Sequence, residues 1–145
     1  MIDNWTDTKR FNVETSYRCT LQCPACFRQN DKFKTLKPKL SDISIDDYTK
    51  VAKYANSVNF CGTVSDPVFH FDFIKLLEIS QKHNTLVDVR TAASHKSREW
   101  YLEAFKSNKK AKWIFGIDGL PEDSSKYRIN QDGEKLFSLM VEAKK

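Results

Sequence analysis

The stretch SVNFCGTVSDPVFHFDFIKLLEISQKHNTLVDVRT, residues 57–91, decides the fold class. It opens on a short strand, SVNFC (57–61), and crosses a turn that carries Gly and Pro. It continues into a helix, DFIKLLEISQKH (72–83), which Asp72 is placed to cap, and closes on TLVDVRT (85–91), rich in the β-branched residues that favour strands. Strand, helix and strand within about 30 residues make the unit from which parallel sheets are built.

The same alternation extends both ways. FNVETSYR (11–18) reads as a strand, and SIDDYTKVAKYA (44–55) as a helix capped by Ser44, with Ile45, Tyr48, Val51, Ala52 and Ala55 on one face. Downstream lie SREWYLEAFKSN (97–108), a helix capped by Ser97, then AKWIFGID (111–118), a fourth strand, and GEKLFSLMVEAKK (133–145), a last helix. The strand-to-strand interval after the second strand is about 27 residues, which suits parallel strands joined by right-handed crossovers. The expected fold is therefore α/β, built of four parallel β/α repeats in a single domain over 1–145. Residues 19–43 are the exception, a connection too long for a compact unit unless it has a function. Parallel α/β proteins carry their chemistry at the C-terminal ends of the strands. Cys19, GTVSDP (62–67), TAAS (91–94) and IDGL (117–120) would all converge there.

Composition narrows the class. With 145 residues, 40% hydrophobic, the chain can bury one core, and its aromatic content with few Gly and Pro argues against disorder. It has no apolar run long enough for a membrane span and no secretory signal at MIDNWTDTKRF, so a cytoplasmic location with reduced thiols is expected. The net charge of +5 leaves room for an anionic partner. KFKTLKPK (32–39) reads as a solvated loop in preference to a nucleic-acid patch, because only Phe33 interleaves its lysines. KSNKKAK (106–112) reads as a helix C-terminus with lysines that complement its dipole.

RCTLQCPACFR (18–28) places Cys19, Cys23 and Cys26 in a CxxxCxxC spacing. Soft thiolates suit zinc or an iron-sulfur centre, and Pro24 discourages a helix through the ligands, leaving backbone N–H groups for cluster sulfurs. A zinc knuckle more often shows paired CxxC units or a His, and a redox pair of Cys23 and Cys26 leaves Cys19 unexplained. Cys61 is either a small buried residue or the fourth ligand of a four-cysteine zinc site.

These motifs resemble the radical S-adenosylmethionine (radical SAM) superfamily. CxxxCxxC after the first strand is similar to its signature. FCGTVSDPVFHFDF (60–73) resembles its second motif, a Gly-rich turn ending in Glu-Pro or Asp-Pro, and FGIDGLPEDSSKYR (115–128) resembles a fourth-strand segment of the peptide-modifying, SPASM-like branch. The resemblance implies an incomplete, about four-unit version of that family's partial TIM barrel, with 19–43 as the cluster-binding loop. Cys19, Cys23 and Cys26 would bind a [4Fe-4S] cluster whose open iron is chelated by S-adenosyl-L-methionine. Reduction of the cluster would cleave the cofactor to a 5′-deoxyadenosyl radical that abstracts hydrogen from a substrate, for which the resemblance points to a peptide or protein. An electron donor such as a flavodoxin or ferredoxin is implied as partner.

Residue by residue, Asp66 matches the acidic position of the turn that receives the methionine ammonium, and Gly62 and Thr63 lie where the backbone approaches closely. Ser65 stands where many members have Gly, and Val64 also departs from the pattern. Ala25 replaces an aromatic residue frequent before the third cysteine and keeps a main-chain contact, with Phe27 nearby. Ser94 or Thr91 would meet ribose or carboxylate, and Gly116 stands where many relatives have Ser. Asp118 would be a site carboxylate and Arg128 the partner of the methionine carboxylate. His70 and His95 fall near the rim but read as structure at helix starts. Taken alone, SDP is also a common turn. The family's core has two further units, so the chain is expected to be a fragment, a minimal or split protein that completes its sheet with another copy or a partner, or a non-catalytic cluster-binding version. Outside this resemblance, a zinc-stabilised four-cysteine module for nucleic acid is the competing expectation.

Overall fold

Four strands form one all-parallel sheet in the order β1-β2-β3-β4. The structure, a computed structural model, describes residues 9–36 and 40–143. The strands are β1 (Arg10–Val13), β2 (Ser57–Phe60), β3 (Leu86–Thr91) and β4 (Lys112–Phe115). The helices are α1 (Asp31–Leu36), α2 (Ile45–Tyr54), α3 (Phe73–Lys82), α4 (Arg98–Ser107) and α5 (Gly133–Glu142). No helix among the described residues is long and apolar enough to cross a membrane.

Alternation along each strand sorts its side chains between two environments. Val13, Val58, Phe60, Val87 and Val89 point to one face, where they form a core with Tyr48 and Ala52 of α2, Phe73, Leu76 and Leu77 of α3 and Ala104 of α4. Inside it, Phe60 meets both Tyr48 and Phe73, with ring centroids 5.3 and 5.5 Å apart. The Tyr48 hydroxyl bonds to Ser80 at 2.5 Å, so the buried phenol is not left unpaired. A second cluster gathers Tyr101, Leu136 and Leu139 around Trp113 and Phe115, which seats α5 against β4.

Among the described residues no helix covers the opposite face. In register across it run Arg10, Ser57 and Leu86, then Asn12, Asn59, Asp88 and Lys112, then Arg90 and Ile114. Parallel sheets normally bury both faces under apolar side chains. Here one face is polar, and it forms a groove of about 400 Å³.

The helical face expected for α2 is as found, with Tyr48, Ala52 and Ala55 buried, and Ser44 and Ser97 cap their helices by accepting from Asp47 N and Trp100 N. Several expectations are corrected. The first strand ends at Val13 because Thr15 and Ser16 turn away to bond Pro67 O and Asp42, so Cys19 lies six residues beyond the sheet. Asp72 does not cap α3 with its side chain; its own N–H donates to His70 Nδ1 at 3.0 Å. The fourth strand is shorter than 111–118. The last helix ends at Glu142 and is capped by Asp132, with Lys144 and Lys145 outside the described residues. The lysine stretch 32–39 is not a plain loop, since 32–36 lie in α1 with Phe33 buried, while 37–39 fall outside the described residues. At the other lysine stretch α4 does end, at Ser107, with Lys106 in its last turn.

Two substitutions separate a working cap from a nominal one. Ser97→Ala is expected to cost about 1 kcal/mol through the lost bond to Trp100 N. Asp72→Ala should stay within about 0.5 kcal/mol. Urea unfolding midpoints at unchanged slope measure both.

Candidate functional site

A cleft of about 350 Å³ opens at the C-terminal end of the sheet, lined by Cys19, Cys23, Cys26, Gly62, Thr63, Ser65, Asp66, Thr91, Gly116 and Arg128, with Cys61, Leu21, Arg28, Arg90, Ala92 and Ile114 completing its walls. The cysteine loop, the turn after β2 and the ends of β3 and β4 thus share one cleft, as the strand-end geometry predicts, but IDGL (117–120), expected at the same rim, does not line it.

The turn after β2 is built around Gly62 and Asp66. A Cβ on Gly62 would lie 1.7 Å from Ser65 O, so the chain can fold back this tightly only without a side chain there. Glu14, just beyond β1, ties the turn down by accepting from Thr63 N at 2.9 Å and Ser65 Oγ at 2.5 Å. Asp66 is 5% exposed, and both its oxygens are engaged. Oδ1 accepts from Thr91 Oγ1 at 2.7 Å and Val68 N at 3.3 Å, and Oδ2 from Ala92 N at 2.7 Å and Ala93 N at 3.0 Å. Burial pushes its carboxyl above the usual carboxylate range, while these four donors pull the other way. The carboxylate therefore fastens the turn to the end of β3, and the cleft meets the turn around it.

The cysteine loop is held from three sides. Arg28 donates to Cys19 O at 3.1 Å and Leu21 O at 2.6 Å. Gln22 N bonds to Ile129 O at 3.1 Å and Asn130 Nδ2 to Thr20 O at 3.0 Å, which moors the loop to the segment before α5. On the upstream side Asp66 N donates to Arg18 O at 2.9 Å, and Arg18 itself pairs with Asp42 at 2.5 Å. Cys26 N closes a turn on Cys23 O at 3.0 Å, and no helix runs through the three cysteines. Leu21 N points at Cys19 Sγ, 3.4 Å away, the kind of N–H to sulfur bond that supports a ligating thiolate.

Burial, helped by the Asp66 charge, pushes the Cys19 thiol up to about 11. Burial and Glu14 raise Cys61, against the pull of Arg90. Among the described residues no three His, Cys, Asp or Glu side chains are gathered around a common point as metal ligands. The donor chemistry nevertheless fits a thiophilic centre: three soft thiols, a fourth at Cys61 and a bonded backbone amide share one cleft.

Other expected residues stand elsewhere. Ala25, Ser94 and Asp118 do not line the cleft. Ser94 Oγ accepts from Asp132 N at 2.8 Å and so holds the start of α5. Asp118 reaches the cleft only through Arg128, whose Nε lies 2.5 Å from Asp118 Oδ2 with its N–H turned off that oxygen. The Arg128 guanidinium lies over Gly116, where a Cβ would sit 3.1 Å from Nη2; Gly116 is thus the space that admits the arginine. Phe27 packs on Phe33, with centroids 6.0 Å apart. His70 is structural, its Nε2 bonded to Ile43 O at 2.8 Å, and His95 stacks on Phe69 at 3.8 Å.

Three site residues escape a reading of the sequence. Glu14 falls within the segment read as strand, and Gln131 within a turn, yet buried Gln131 Nε2 bridges Ala92 O at 2.7 Å and Gly116 O at 2.8 Å and locks the ends of β3 and β4 together. Arg90 alone carried a signal: it alternates with Val89 and Thr91, which places it on the polar face. No known protein family matches the chain, and no curated protein matches it either.

Gly62→Ala should cost at least about 2 kcal/mol, because the atom that meets the new Cβ is backbone; thermal or urea unfolding reads it. His95 gives a pH signature. Burial, with the charges of Lys96 and Lys135, pushes it down to about 4 from 6.5. The unfolded chain takes up a proton that the folded chain resists, so this contribution to stability is full above about pH 6.5 and is lost as the pH falls towards about 4. Urea titrations across that window should show the loss, and His95→Gln should flatten it.

Proposed function

We propose that the chain is the core, or part of the core, of a radical SAM enzyme, its four β/α units belonging to a partial barrel. The observation that carries this reading is the meeting of Cys19, Cys23 and Cys26 with the Gly62–Asp66 turn in one cleft at the C-terminal end of an all-parallel sheet. Cys19, Cys23 and Cys26 would hold a [4Fe-4S] cluster, and S-adenosyl-L-methionine would sit beside it. Together these supply one-electron cleavage of a sulfonium and, through it, hydrogen abstraction from a substrate.

The chain's own residues do the rest. Asp66 fastens the turn to the end of β3 beside the cleft, and Gly62 lets the chain fold back tightly enough to form that turn. Arg128 offers a guanidinium to a carboxylate from above Gly116, with Asp118 setting its position. Arg28 keeps the cysteine loop in place by clamping two of its carbonyls. A cytoplasmic setting with a flavodoxin or ferredoxin as electron donor goes with this reading, as does a peptide or protein substrate.

One observation favours a second reading. Cys61 lines the same cleft as the other three cysteines, which is what a four-thiolate zinc site in a binding module would need. Anaerobic reconstitution with iron and sulfide separates the two. On the first reading the protein turns brown, releases 5′-deoxyadenosine from S-adenosyl-L-methionine under reduction, and loses both properties in Cys19→Ser, Cys23→Ser or Cys26→Ser but keeps them in Cys61→Ser. A colourless protein with one tightly held zinc, lost in Cys61→Ser, would overturn it.

A further inference from the structure

The polar face of the sheet is outside the machinery described so far. Its groove, about 400 Å³, is lined by Arg10, Asn12, Ser57, Asn59, Asp88 and Arg90 among others. Arg90 also lines the cysteine cleft, so it stands on the border of the two cavities. Covering this face with an apolar layer would strand its amides and charges without partners, a cost that burial of its few apolar atoms would not offset. A polar ligand in water suits it better.

Arg90 is held in a way that leaves its fork unused. Its Nε donates to Asn59 Oδ1 at 3.1 Å, and Asn59 Nδ2 donates in turn to Asn12 Oδ1 at 3.0 Å. This relay across three strands fixes the guanidinium plane. Among the described residues nothing pairs with its two terminal nitrogens. The carboxylates on that side do not compete for them. Glu14 is spent on Thr63 and Ser65, and among the described residues Asp88 makes no ion pair with Arg90. Arg10 adds a second cation on the groove, and Arg28 and Arg128 add two on the cleft.

We propose that Arg90 is a binding residue for an anionic group, a carboxylate or a phosphate, of the ligand that occupies the groove, so that the ligand's other end faces the cysteine cleft. A planar fork oriented by one bond at Nε is suited to bidentate contact with either group. Calling that ligand the substrate rests on the radical SAM reading; the anion site itself does not.

The test uses the full chain, labelled with nitrogen-15 and free of added cofactor, titrated with sodium succinate in one arm and sodium phosphate in the other at constant ionic strength. The Nε–H signal of Arg90, assigned by its loss in Arg90→Gln, should shift and saturate in at least one arm, and the stronger arm names the group. The Nε–H of Arg98, paired with Glu142 away from the groove, is the control and should not saturate. Affinity should fall about tenfold or more in Arg90→Gln. Asn59→Ala, which keeps the charge but removes the tether, should weaken binding by a smaller factor, and it carries the test if Arg90→Gln does not fold. No saturation at Arg90 in either arm, an equal response at Arg98, or undiminished affinity in the variants would overturn the proposal. Because the titration needs neither cluster nor S-adenosyl-L-methionine, an anion site that fails while 5′-deoxyadenosine still forms leaves the function standing, and the reverse result leaves the anion site standing.

Discussion

Asp66 is the constraint on which the site depends. Its carboxylate ties the turn after β2 to the end of β3 by accepting from Thr91, Ala92 and Ala93, while its own N–H reaches back to Arg18 O, one residue before the first cysteine. Next in the chain, Pro67 O accepts from Thr15 Oγ1 in the segment that leaves β1. Three strand ends are thereby joined through two adjacent residues. Each buried donor would cost about 1–3 kcal/mol if left without its acceptor. An acidic residue at this place is thus explained by structure alone, whatever the cleft binds.

Beyond that knot, the arrangement follows from a sheet that uses its two faces differently. Most of the apolar strand positions serve the helices on one side, with Phe60 at the centre between Tyr48 and Phe73, while Leu86 and Ile114 lie on the other face. The residues alternating with them are Asn12, Asn59, Asp88 and Arg90, joined in part by side-chain bonds across the strands. Such a face is stable towards water, and its groove shares Arg90 with the cleft that the cysteines line.

The strands and longer helices were legible in the sequence because their periodicity is strong and because Ser44 and Ser97 are caps of the ordinary kind. What was not legible depends on partners distant in the chain. Val13 ends β1 because Thr15 and Ser16 find acceptors some 52 and 26 residues away, and no local pattern announces that. Asp72 has the composition of a cap, but His70 supplies the acceptor at that helix start instead. The rim of the site was readable as a set of strand ends, so the cysteines, Gly62 and Arg128 fall together as expected. The partners of those residues were not: Glu14 and Gln131 act by bridging loops, and the pairing of Asp118 with Arg128 emerges only when the segment after β4 folds back.

Within the cleft, the charged groups divide into those spent on the protein and those left over. Asp66 and Glu14 are wholly engaged, and Asp118 is matched by Arg128. What remains is the outer nitrogens of Arg90, since Arg28 is spent on Cys19 O and Leu21 O and Arg128 is paired with Asp118. Thiols that give up their protons to a metal or cluster build negative charge at one place, and guanidiniums around that place lower the cost of doing so in a partly buried site. Arg28, Arg90 and Arg128 on the cleft walls would act in that way here.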